Sequence, residues 1–200
     1  MTIGIDQAKQ TFNIMMHPAD ATKKENKIGA SLTWYYKLAI IPLIISIIGA
    51  LLVGSALGGL LSLLSPSLGL VFGGAIAGIA VVFVILYFVI LVPIGFFIDA
   101  AILHFFGKFV FRQFKSDYSH TFNGLIYGAS PSILFFWLFF IPIIGWLAAI
   151  IVGIWSLIVG IFALSNQQKT SKLSVIGVYI GTAVVIGIIE FVVVALVLHL

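Results

Sequence analysis

The chain reads as an all-α membrane protein, a bundle of five transmembrane helices with a cytoplasmic N-terminus and a short amphipathic N-terminal segment. Three observations predict this. Of 200 residues, 62% are hydrophobic and only 8% charged, with a mean hydropathy of +1.27, too little polar surface for a water-soluble domain of this length. Apolar stretches of about 20 residues or more, long enough to cross ~30 Å of hydrocarbon as helices, recur along the chain, and the alternation of a membrane barrel is absent. The ten basic residues cluster in a few places, which fixes the number and direction of the crossings.

Residues 1–33 are expected to form a cytoplasmic tail, and 34–200 the five-span domain. In the tail, Ile5, Ala8, Phe12 and Met15 or Met16 share one face of a potential helix, with Asp6, Lys9, Gln10 and Asn13 elsewhere. Such a segment can lie on the inner leaflet. Pro18 suits the first position of a second short piece in "HPADATKKENK". The tail is rich in lysine and lacks a small-residue cleavage pattern, so no cleavable signal peptide is expected.

The spans are read at about 34–64, 68–103, 121–141, 145–165 and 173–198. With the N-terminus inside, this count places every basic residue on the cytoplasmic side: Lys9, Lys23, Lys24, Lys27 and Lys37 in or beside the tail, Lys108, Arg112 and Lys115 after span two, Lys169 and Lys172 after span four. The connections near 65–67 and 142–144 carry no charge. Splitting 68–103 into two spans would move Lys108, Arg112 and Lys115 to the opposite side from the N-terminal lysines, without a polar turn to divide them. The excess length is instead assigned to tilt, to a kink at Pro93, or to a glycine-rich start in "PSLGLVFGGAIAG". The charged stretch "HFFGKFVFRQFKSDYSHTF", residues 104–122, is then the cytoplasmic loop between spans two and three.

Small residues four apart, Gly54 and Gly58, Gly69 and Gly73, Gly74 and Gly78, Gly177 and Gly181, read as seams where helix backbones approach. Two acids fall within spans and are the candidate intramembrane polar sites: Asp99, ~9 Å from the inner end of span two, and Glu190, ~22 Å from that of span five. Asp99 is within reach of Lys37 or His104, while Glu190 has no evident cation and is expected to be protonated or bonded to a neighbouring hydroxyl.

The pairs His17 with Asp20, Asp117 with His120, and Asp99 with His104 are too sparse for a metal motif, so no metal and no other cofactor is expected. Without cysteine there is no thiolate chemistry, the serines and threonines are scattered with no histidine beside a plausible nucleophile, and no phosphate-binding glycine loop is present. No catalytic residue is assigned. The net charge of +4 is read as contact with anionic lipid on the cytoplasmic face, and no nucleic-acid partner is expected.

The run "MMHPADATKKE", then "ILHFFGKFVFRQF", "YGASPSILFFWLFFIPIIGW" and "IVGIWSLIVGIFALSNQQKTSK" before a closing apolar span, resembles prokaryotic members of the Yip1 domain family over nearly the whole chain. The likeness is carried by Pro18, by Gly107 and Lys108, by Tyr127 and Pro131, and by the stretch running to Ser165 and Lys169. It implies a non-enzymatic integral membrane protein that acts as a scaffold or adaptor, or in membrane organisation and trafficking. It also implies a cytosolic or membrane protein partner, scope for homo-oligomers, and a prokaryotic cell membrane rather than an endomembrane. A small transporter or channel for protons, cations or metal ions, using Asp99 or Glu190 or both, is the alternative.

Overall fold

A computed structural model describes residues 4–20, 27–141 and 143–198, and among these the chain is helical, without strands. Four helical runs are long and apolar enough to cross a membrane: Ile28–Ser62, Pro66–Val110, Gly145–Gln168 and Lys172–Leu196. They belong to α2 (Ile28–Ser62), α3 (Pro66–Leu86) continued by α4 (Val92–Phe105), α7 (Ile144–Gln168) and α8 (Lys172–Leu198). Short helices complete the chain: α1 (Ile5–Met16), α5 (Tyr118–Gly128) and α6 (Ser130–Leu134).

α3 and α4 are joined through a π-helical turn, Tyr87–Leu91, just ahead of the expected kink at Pro93. In π register the Phe88 carbonyl would need a donor five residues on, and Pro93 has no N–H to give. Tyr35 fills the gap, donating its hydroxyl to the Phe88 carbonyl at 2.6 Å, while Tyr36 donates to that of Val89 at 3.2 Å. Tyr35 and Phe88 are both buried, so α2 and the bend form one core.

The expected third span, 121–141, is not a single helix. α5 stops at Gly128, α6 occupies Ser130–Leu134, and a 3-10 turn covers Phe136–Phe140. Pro131 is the cause: it leaves the Tyr127 carbonyl without its helical donor. The Ser130 hydroxyl donates to that carbonyl at 2.7 Å, and the Ser132 N–H is taken by Ser156 Oγ at 3.0 Å. The broken segment nevertheless keeps a constant antiparallel register with α7. Gly124 packs on Leu164, Gly128 on Gly160, and Ser132 bonds Ser156. Each advance of four residues matches a retreat of four on α7, so 124–132 runs antiparallel beside 156–164 in one register.

α1 folds back onto the bundle. Thr11 and Ile14 are buried, the Trp34 indole donates to Gln10 Oε1 at 2.8 Å, and the Trp155 indole donates to the Met15 carbonyl at 3.1 Å. The expected apolar face therefore divides: Ala8 turns inward, while Ile5, Phe12 and Met16 are exposed. Pro18 opens a 3-10 turn, Pro18–Asp20, as the first position of a second short piece.

Of the expected glycine seams, the two in α2 and α3 are close contacts. A Cβ on Gly54 would meet Ala77 Cα at 2.8 Å, and one on Gly58 would meet the Gly69 carbonyl oxygen at 2.8 Å. Gly74, Gly78 and Gly177 face open space, and Gly181 receives the ring of Phe111. Gly58→Leu should cost roughly 1–3 kcal/mol by forcing the α2–α3 pair apart. Gly59→Leu, beside it but facing open space, should leave denaturant unfolding of the purified protein unchanged.

Candidate functional site

Two places in the bundle gather polar side chains. The first is built by the stretch 104–122. Gly107 lies in the π turn Phe106–Val110 that ends the α4 run, and its carbonyl accepts the N–H groups of Gln113 at 2.8 Å and Phe114 at 3.0 Å. A side chain at 107 would strike the Phe114 ring, so glycine is required for this reversal. The chain turns back through Arg112, whose φ of 55° is left-handed, and re-enters the bundle as α5.

Gln168, fully buried at the end of α7, holds this reversal in place. Its Oε1 accepts the Ser116 N–H at 3.0 Å, and its Nε2 donates to Thr121 Oγ1 at 2.8 Å and to the Asp117 carbonyl at 3.3 Å. Thr121 Oγ1 in turn meets His104 Nδ1 at 2.8 Å. Lys108 donates to the Ser116 carbonyl at 3.2 Å and pairs with Asp117 at 3.5 Å, an exposed contact of small energetic weight. Close by, the Ser31 hydroxyl donates to Asn123 Oδ1 at 2.5 Å, and His120 Nδ1 meets Gln167 Oε1 at 3.0 Å.

These bonds draw together the start of α2, the end of α4, the start of α5 and the end of α7. Lys27, Lys108, Arg112, Lys115, Lys169 and Lys172 consequently surround one end of the bundle. Lys37 lies farther along α2, Lys9 is exposed on α1, and Lys23 and Lys24 lie outside the described residues. Lys172 places its ammonium 3.8 Å from the centre of the Phe162 ring.

His104 against Thr121 is a base beside a hydroxyl, a pairing the sequence separates by 17 residues. It is not arranged for reaction: Thr121 is 0% exposed, His104 is 8% exposed, and the hydroxyl is already engaged by Gln168. A nucleophile needs a site about 3 Å away for the reacting atom, and packing fills that space here.

The second place is a cavity of about 540 Å³ between α4, the α6 segment and α7. Its walls are aromatic and aliphatic, with Phe88, Phe96 and Phe136 prominent, and Asp99, Ser132 and Tyr87 are the lining residues with polar side-chain groups. Asp99 forms no ion pair with Lys37 or His104. His104 is turned to Thr121. Glu190 sits on the exposed face of α8, away from this cavity and without a polar partner among the described residues.

No family model, no curated protein and no solved structure matches the chain. The residues that carry the Yip1 resemblance fall at structural junctions: Gly107 at the reversal, Tyr127 against Trp34 with ring centres 4.6 Å apart, Pro131 at the break, and Ser165 and Lys169 at the end of α7. The Ser165 hydroxyl donates to the Thr170 carbonyl at 2.6 Å, and Lys169 closes the helix with a left-handed φ of 51°.

Sequence reasoning passed over Gln168 and Thr121. The available signal was the neutral pair in "SNQQKTSK", two glutamines at the end of an otherwise apolar helix. Thr121→Val keeps the shape but removes the hydroxyl shared by His104 and Gln168, and should cost roughly 1–3 kcal/mol in denaturant unfolding of the purified protein. Thr33→Val, which removes only a local bond to the Gly29 carbonyl at an exposed position, should change stability by less than about 0.5 kcal/mol.

Proposed function

We propose that this is a non-enzymatic multi-pass membrane protein of Yip1-like type, a scaffold or adaptor whose basic end faces the cytoplasm and engages anionic lipid. The observation that carries the reading is the segregation of charge along the bundle. Six described basic residues ring the end where α4, α5, α7 and α8 meet, while the opposite connections, 63–65 and 141–143, carry none. Basic residues beside spans are retained on the cytoplasmic side, and near an anionic surface each contributes about 1 kcal/mol of attraction.

Five crossings with the N-terminus inside fit this charge pattern. The broken segment supplies the fifth, supported by its register with α7, and it returns the chain to the uncharged side so that α7 can end beside the basic cluster. The buried bonds of Gln168 and Thr121 hold this end as a fixed platform, suited to contact rather than to turnover. The exposed Ile5, Phe12 and Met16 of α1 add an apolar strip that the inner leaflet can accept.

A transporter moving protons or metal ions through both acids would need them on one wet path. Asp99 lines the cavity and Glu190 is exposed on α8 without lining it, which favours the scaffold over a path that uses both acids.

Topology tests the reading directly in a chain without cysteine. Lys115→Cys and Lys169→Cys should resist an impermeant thiol reagent in intact cells and react after permeabilisation, whereas Ser67→Cys and Ile143→Cys should react from outside. Labelling of Lys115→Cys from outside would remove the five-crossing scheme. The purified protein should also bind anionic vesicles in a salt-dependent way, since screening shortens to ~3 Å at 1 M salt.

A further inference from the structure

We infer that the cavity between α4, α6 and α7 is a binding site for a small lipophilic amine, an organic ammonium carrying a compact apolar body. This goes beyond the scaffold reading and does not depend on it.

The cavity of about 540 Å³ lies within the range that encloses a small organic ligand. Its polarity is ordered along the α4 axis. Asp99 stands at one end and Tyr87 at the other, twelve positions earlier and so ~18 Å away along the helix, with aromatic rings between. A guest that matches this has its charge at the Asp99 end and its apolar body directed toward Tyr87 and Phe136.

The sign of the charge follows from the lining. Asp99 has no ion pair with any Lys, Arg or His among the described residues, its ionisable neighbour being Tyr179 of α8, and a carboxylate without a counter-charge at this depth is costly. An ammonium offsets that cost, and Phe96, one helical turn from Asp99 on α4, lines the same end of the cavity. An anion would be repelled. A sugar or other polyol would need several hydrogen-bond partners, and the hydroxyl of Ser132 is already joined to Ser156 at 2.6 Å. A divalent metal ion would need about six oxygen ligands, and the side chains here supply one carboxylate.

The glycines give the site its room. Gly95 on α4 and Gly153 on α7 both line the cavity, and a Cβ on either would meet nothing within 4 Å. Neither glycine is therefore required by helix packing, in contrast to Gly54 or Gly128. A larger side chain at either position would project into the cavity without displacing backbone.

The experiment is equilibrium dialysis of the full-length protein in phosphatidylcholine nanodiscs, with empty discs subtracted, using 4-phenylbutylamine and its neutral counterpart 4-phenylbutanol. In these discs the added amine is the primary-amine ligand on offer, and the matched alcohol reports partition of the same apolar body. The amine should bind saturably and about tenfold tighter than the alcohol, the contribution of a charge-assisted contact. Asp99→Asn should erase that preference. Gly153→Leu and Gly95→Leu should each weaken amine binding about tenfold by occupying the cavity, with elution and unfolding profiles unchanged. Glu190→Gln should bind as the original chain does. Absence of saturable amine binding, equal binding of amine and alcohol, a preference that survives Asp99→Asn, or binding untouched by both leucine variants would each overturn the assignment.

Discussion

Every backbone N–H and C=O that leaves a helix inside hydrocarbon must find another partner, and this constraint organises the bundle. The chain breaks regular helix at Pro93 and at Pro131, and each break is repaired by hydroxyls. Tyr35 and Tyr36 reach from α2 to the carbonyls of Phe88 and Val89. Ser130 supplies the Tyr127 carbonyl, and Ser156 of α7 receives the N–H of Ser132. These repairs tie α2 to the π turn between α3 and α4, and the α6 segment to α7, so the places where helices fail are also where neighbouring segments are joined.

The same logic explains the charged stretch. A reversal of direction between α4 and α5 exposes several backbone groups, and Gln168 meets them with both ends of its amide while Lys108 takes the Ser116 carbonyl. Charge and backbone needs thus coincide at one end of the molecule. The basic side chains not consumed in this way, Arg112 and Lys115 among them, point outward and give that end its sign.

Much of the helical architecture was legible in the residues, because hydrophobic length is a first-order signal in a membrane. The long apolar runs and the close approach at Gly54, Gly58, Gly69 and Gly73 could be read without coordinates. The broken form of 118–140 could not, since "YGASPSILFFWLFF" is apolar enough for a straight helix and its interruption depends on Ser156, 25 residues past Pro131. The division of the α1 face was hidden for a similar reason: which side of an amphipathic helix meets the bundle is decided by Trp34 and Trp155, both distant in sequence. Asp99 was visible as an acid in a span, but its nearness to the aromatic cavity rather than to Lys37 is a property of packing alone.

Disulfide trapping in native membranes tests most directly whether the broken segment runs beside α7 in one register, as the proposed fifth crossing requires. The chain has no cysteine of its own, and the hydroxyls of Ser132 and Ser156 lie 2.6 Å apart. Ser132→Cys with Ser156→Cys should form a crosslink under mild oxidation, while Ser132→Cys with Val152→Cys, one turn away on α7, should not, given the narrow separations a disulfide tolerates. Equal crosslinking of the two pairs, or crosslinking of the second alone, would contradict the register and with it the fifth crossing.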